Sequence, residues 1–210
     1  MPTPIEQRYI DAHPKCADLY ATSKDLFPNG VTHDARNLKP FPYFVSHGLG
    51  ARKWDVDGQE SIDYKGGHGA LILGHSHPEI VAAVSDQMTR GTHYAASTEL
   101  EIKWGSLVRE LIPCSEKVRF HSSGTEATLM ALRMARSYTG KFRIVKFDDH
   151  FHGWHDYLLA ENTGDGGVPE EVKDTVTSLP INNISLVEEA LKAGDVAAVI
   201  IEPTGPHMGL

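Results

Sequence analysis

The chain has 210 residues, 40% of them apolar, enough to bury a core of its own. Its 28 acidic residues outnumber the 20 Lys and Arg for a formal net charge of −8, with no basic block, which argues against a nucleic-acid or anionic-membrane partner. The opening residues lack a secretory signal's apolar core and no run approaches the ~20 apolar residues of a membrane span, so a cytoplasmic protein is expected; Cys16 and Cys114 suit free thiols there, a single disulfide being the alternative.

Residues 1–27 predict a helical arm. Ile5, Tyr9, His13 and Ala17, then Leu19, Tyr20 and Leu26, fall at loose helical spacing, and Pro14 divides them. Pro28, Asn29 and Gly30 signal a turn. The polar stretch 31–41, which holds His33, Asp34 and Arg36, reads as loop. Residues 43–64 predict an antiparallel meander, with strands at 43–45, 52–56 and 61–64, a turn at 48–50 and an Asp57-Gly58 hairpin. Glycines at 66, 67, 69 and 74 then suggest tight turns, outside any strand–GxGxxG–helix order. Pro78 opens a helix with Ile80, Val81, Val84 and Met88 on it, and a second covers 99–111, stopped by Pro113.

Residues 118–136 organise the remainder. A short strand is expected at 118–121, a turn of Ser122, Ser123, Gly124 and Thr125, and a helix with Ala127, Met130, Ala131, Met134 and Ala135 on one face. Such a turn has two readings. It is an ordinary helix cap, because Ser precedes Glu126 by three residues, or it is an anion seat, because the first helical N–H groups lack partners and glycine admits close approach.

A strand follows at 142–147, then a polar histidine-rich loop at 148–156 and a short strand at 157–160. An irregular excursion covers 162–182, a helix spans 185–193 and ends at Gly194, and a buried strand runs over 196–201 to Glu202 and Pro203. This alternation predicts an α/β fold with a mostly parallel sheet. Ligands of such sheets sit at the carboxyl ends of strands, where the segments 121–125, 148–155 and 202–209 converge.

His150, His152 and His155 offer three imidazoles to a metal, but Trp154 stands where an HxHxDH element needs its Asp. The alternatives are a packed, hydrogen-bonded loop, or a loop that presents Phe151 to stack on a planar ligand. His75 and His77 before Pro78 read as a polar turn. Glu202 is either functional or an exposed turn carboxylate. No metal is assigned, and Cys114 receives no catalytic role.

Taken together, the motifs resemble the class III family of pyridoxal-phosphate-dependent aminotransferases, nearest its glutamate-1-semialdehyde 2,1-aminomutase branch. The matching pieces are Asp55-Val56-Asp57-Gly58 with Asp63 and Tyr64, Leu73-Gly74-His75-Ser76-His77-Pro78, Ser123-Gly124-Thr125-Glu126-Ala127 with Ala131, Arg133, Ala135 and Arg136, Phe151-His152-Gly153, and Glu202-Pro203 near Met208 and Gly209. The resemblance implies fold type I, aspartate aminotransferase-like and here incomplete: an N-terminal arm and part of a small domain over 1–75, and the first part of a large pyridoxal-phosphate-binding domain over 76–210. It implies that Ser123, Gly124 and Thr125 hold the cofactor phosphate, that Phe151 stacks on the pyridine ring, that Glu202 lies beside the cofactor and that Arg36 faces a substrate carboxylate. It also implies a homodimer that acts on a small amino acid or amine.

The chain departs from the aminomutase pattern at His33, His68 and His207, which stand where that pattern has Ser, Trp and Asn. An aminotransferase of unknown amino donor is therefore the first expectation. The aminomutase is the second, a catalytically dead phosphate- or subunit-binding remnant the third, and a metal-dependent hydrolase the last. The resemblance places the Schiff-base lysine and the aspartate for the pyridine nitrogen beyond Leu210. The chain thus reads as the N-terminal half of an enzyme, inactive alone, with no residue assigned as catalytic.

Overall fold

The computed structural model describes residues 1–160 and 165–204, in two compact units, Met1–Ser97 and Thr98–Leu210. The helix that opens at Pro78 therefore groups with the first unit, whereas the sequence reading attaches it to the second.

In the first unit, α1 (Pro4–Ala12) and α2 (Pro14–Leu26) form the arm. Pro14 occupies the first turn of α2, where its missing N–H loses no hydrogen bond, so one arm becomes two helices. His13 at the junction contacts Tyr9 O at 2.6 Å and Asp55 Oδ2 at 3.2 Å, which ties the arm to the meander. Short 3₁₀ turns follow at Pro28–Gly30 and Asp34–Arg36.

Strands β1 (Val45–Leu49), β2 (Arg52–Asp55) and β3 (Glu60–Ile62) make the antiparallel sheet in that order. The first strand starts later than expected and runs through Gly48 and Leu49, because both residues pair with β2 and the turn is left to Gly50 and Ala51. Beyond β3, Asp63 accepts from His75 Nε2 (2.7 Å) and Lys53 Nζ (3.0 Å), and these two partners hold its carboxyl far below the usual range. Helix α3 (Pro78–Met88) completes the unit.

The second unit opens with α4 (Glu99–Leu111), capped reciprocally by Thr98 and Glu101. Residues 118–121 make no ladder among the described residues, so the expected strand there is corrected to a segment without regular structure. Helix α5 (Gly124–Thr139) follows, and then β4 (Arg143–Phe147). Residues 157–160 are not a strand. They belong to α6 (Asp156–Leu159) and its cap, and the helical turn brings fully buried Leu158 onto Leu132 and Ile144.

The excursion at 162–182 contains α7 (Glu170–Lys173) and a strand that the sequence reading missed, β5 (Val176–Leu179). After α8 (Ile184–Lys192) comes β6 (Val196–Val199). The sheet is parallel, in the order β5-β4-β6. Among the described residues β6 is thus at the edge of this sheet and only partly buried: Val196 is 9% exposed but Val199 42%. The buried face of α5 also differs from expectation. Leu132 enters the core, whereas Ala127, Ala131 and Met134 point outward.

Arg143 joins the amino ends of all three strands, with Nε to Asp195 Oδ2 at 3.0 Å and Nη1 to Asp174 O at 3.0 Å. Arg136 fastens α5 through Phe142 O (2.8 Å) and lies 4.1 Å from the Tyr157 ring centroid. Both cysteines are free, Cys16 buried and Cys114 exposed. Among the described residues no helix is long and apolar enough to cross a membrane.

Candidate functional site

Helix α5 runs into β4, and the loop that follows β4 bonds to Thr125 and Thr128 in its first turns, so the amino end of α5 lies at the edge where the strands finish. The order β5-β4-β6 reverses direction at β4, and the crevice at such a point is where open α/β sheets seat ligands.

Ser123 caps α5. Its Oγ accepts from Glu126 N at 3.2 Å, while Glu126 Oε2 accepts from Ser122 N at 2.9 Å. Ala127 N closes the turn on Ser123 O at 3.0 Å. The Gly124 and Thr125 amides have no acceptor among the described residues. Neither do the hydroxyl protons of Ser123 and Thr125, whose oxygens only accept among the described residues. Four donors therefore stand unused within three consecutive residues at the positive end of a helix dipole. The cap and anion-seat readings are compatible: capping uses one hydroxyl lone pair and leaves the donors free.

The loop after β4 is fastened to this turn. Trp154 N donates to Thr125 Oγ1 at 3.2 Å. Thr128, one turn into α5, donates its hydroxyl to His152 O at 2.7 Å, and His155 Nε2 lies 3.3 Å from Thr128 Oγ1. The close approach requires glycine at 153, whose φ is +114° and whose Cβ, if present, would fall 2.7 Å from Thr125 Oγ1. On the other side of the loop, Phe151 N donates to Glu202 Oε2 at 3.2 Å, and Glu202 N donates to His150 Nδ1 at 3.2 Å. The Phe151 ring is 50% exposed and meets Trp154 edge-on at 5.8 Å.

The three imidazoles are committed to the loop. His150 Nδ1 and His155 Nε2 have the partners just named, while His152 Nε2 and His155 Nδ1 are buried without one. Burial lowers the His152 pKa, with His150 adding to the effect and Glu202 opposing it. Burial also lowers that of His155, against Asp156 and with Arg136. Among the described residues the three do not gather their ligand atoms within reach of one ion, whereas those of Cys16, Asp55 and Asp57 in the first unit lie within 4.8 Å of one another. Those three satisfy one another and the Lys15 and Cys16 amides.

Of the residues singled out in the sequence, Ser123, Gly124 and Thr125 thus adjoin the loop of Phe151, and Phe151 adjoins Glu202. Arg36 lies in the first unit, exposed, with Nη1 2.8 Å from Thr32 Oγ1. In the same unit His33 and His68 meet, ring centroids 5.6 Å apart, and His68 holds a left-handed φ of +59° between glycines. His207, Met208 and Gly209 lie outside the described residues. Sequence reasoning assigned nothing to Thr128, and to Gly153 no more than a place in a motif. The helical spacing of Thr128 from Gly124 was the available signal.

Fold and site together define an α/β protein of the kind that seats a ligand at the carboxyl edge of a parallel sheet, between a helix amino terminus and the loops that follow the strands. The chain belongs to the family described as aminotransferase class-III, whose model matches residues 33–210. It is 38% identical over 205 residues to the glutamate-1-semialdehyde 2,1-aminomutase of Methanothermobacter thermautotrophicus, covering 93% of this chain and 49% of that one. Among solved structures it is similar to an omega-transaminase from Sphaerobacter thermophilus, with 36% identity, a TM-score of 0.87, and 90% and 47% of the two chains covered. It is also similar to a transaminase solved with pyridoxal phosphate bound, with 36% identity, a TM-score of 0.88, and 94% and 49% covered. The expected fold-type-I architecture is therefore present, and the chain spans about half the length of the relatives it matches.

Proposed function

We propose that these residues form the cofactor-phosphate and ring-binding part of a pyridoxal-phosphate-dependent enzyme that transfers an amino group to or from a small amino acid or amine. The single observation that carries this reading is the set of four unused donors on Ser123, Gly124 and Thr125 at the carboxyl edge of the sheet. A phosphate is an acceptor-only group that takes such donors. Pyridoxal phosphate, when bound, supplies an electron sink for amino-group transfer. Phe151 offers the flat ring for stacking and Glu202 lies beside it. Arg36 binds a substrate carboxylate through its guanidinium fork. The active form is a cytoplasmic homodimer.

Between two reactions, the departures from the aminomutase pattern at His33 and His68, whose rings meet, favour transfer between two substrates; the third departure, His207, lies outside the described residues. The identity to aminomutases favours intramolecular transfer as the second reading.

Spectroscopic titration of the full natural polypeptide with pyridoxal phosphate, with inorganic phosphate as competitor, tests the site. Saturable binding that phosphate displaces is expected, and absence of binding overturns the proposal. Turnover that requires both an amino donor and a keto acid identifies the aminotransferase. Turnover of glutamate-1-semialdehyde alone identifies the aminomutase. Binding without either reaction leaves the non-catalytic remnant.

A further inference from the structure

Two hydrogen bonds cross between the loop after β4 and the segment after β6 in opposite senses. Phe151 N donates to the Glu202 carboxylate, and Glu202 N donates to His150 Nδ1, each at 3.2 Å. His150 is 6% exposed. Its ring packs against Phe147 at 5.6 Å and edge-on to His152 at 5.9 Å, so it is held in place rather than free to turn. The backbone reaches it by a tight turn, with His150 N on Phe147 O at 3.3 Å and Asp149 at a left-handed φ of +61°. The ladder of β6 has ended by Glu202: Ile200 N makes the last bond to β4, on Val145 O at 2.9 Å. The Glu202 amide therefore depends on a side chain for its acceptor, and His150 supplies it. An imidazole that accepts at Nδ1 carries its proton on Nε2, which fixes the tautomer.

We propose that His150 is a positioning residue. By anchoring the Glu202 backbone it sets where the Glu202 carboxylate meets Phe151 N, and so where the Phe151 ring lies. The inference rests on the reading of Phe151 as the ring that stacks on pyridoxal phosphate. It adds a residue to which neither sequence nor family reading assigned a role in that site. His150 acts in this arrangement through Glu202 and Phe151.

The test compares two substitutions in the full natural polypeptide. His150→Leu keeps the bulk and removes the acceptor. His150→Asn keeps a short acceptor at the place of Nδ1. Loss of one such hydrogen bond is expected to speed release of bound pyridoxal phosphate about tenfold in H150L. The circular dichroism of its cofactor band is expected to change as well, with release returning to within about threefold of wild type in H150N. Equal behaviour of the two variants, or none at all, overturns the proposal, because a packing role alone does not distinguish an acceptor from a methyl group. Hydrogen exchange at the Glu202 amide without cofactor separates the two levels. Slow exchange in wild type and H150N with fast exchange in H150L, alongside no cofactor binding by wild type, sinks the cofactor reading and with it the positioning role. Equal exchange in all three sinks the anchor itself.

Discussion

Gly153 lies against Thr125 so closely that a Cβ on the glycine would sit 2.8 Å from the Thr125 Cα, a backbone atom that cannot swing away. The contact joins the loop after β4 to the first turn of α5, and the bond from Trp154 N to Thr125 Oγ1 is made beside it. Gly153→Ala would combine a left-handed φ, which disfavours alanine by ~1–2 kcal/mol, with a backbone clash. Cofactor release at least about tenfold faster is expected, together with loss of protection at the Trp154 amide. Wild-type release kinetics in G153A would show that the loop and helix separate without consequence.

The core beneath this loop is small, and Leu158 is its most enclosed member on α6, fully buried beside Leu132 and Ile144. Leu158→Ala is expected to destabilise the protein by ~2–5 kcal/mol, as for other enclosed leucines. Denaturant unfolding followed by far-ultraviolet circular dichroism measures this. A change below ~1 kcal/mol would mean that the site collapses around the cavity.

What the sequence revealed was what local chemistry determines. Pro14, Pro78, the Thr98–Glu101 cap and the Ser123 cap act within about one helical turn, so the helices that they start were placed well. The errors fell where pairing or packing decides. Residues 118–121 have β-favouring side chains but no ladder, and 157–160 turn helical to bring Leu158 inward. Strand β5 was hidden inside a glycine-rich excursion. The site followed the same division: the donors of Ser123 to Thr125 were readable as a helix start, whereas the approach of Gly153 and the bonds of Thr128 and His150 are tertiary facts.

Folding lowers the pKa of both His152 and His155, chiefly by burial. The unfolded chain therefore binds more protons as the pH falls, and stability is full above the ordinary imidazole value of ~6.5 and declines below it. Thermal unfolding across pH 5 to 8 is expected to show this decline, and the double substitution His152→Gln with His155→Gln to flatten it. An unchanged slope in the double variant would assign the acid sensitivity elsewhere.

The two roles of Ser123 can be separated by substitution, because an aspartate caps a helix about as well as a serine but brings a negative charge. Ser123→Ala removes the acceptor for Glu126 N and is expected to lower stability by ~1 kcal/mol. Ser123→Asp restores the cap, and its charge suits the helix amino terminus, so stability should return to that of wild type or slightly above. For an anion the order reverses. Alanine removes one of four donors, a several-fold loss of pyridoxal-phosphate affinity, whereas aspartate sets like charges within a few ångströms at ~1–4 kcal/mol, about fivefold to several hundredfold. If the turn is a cap alone, cofactor affinity follows stability and S123D binds as wild type does. If it is also the phosphate seat, S123D is the stable variant that fails to bind, and parallel unfolding and titration measurements on the two variants tell these outcomes apart.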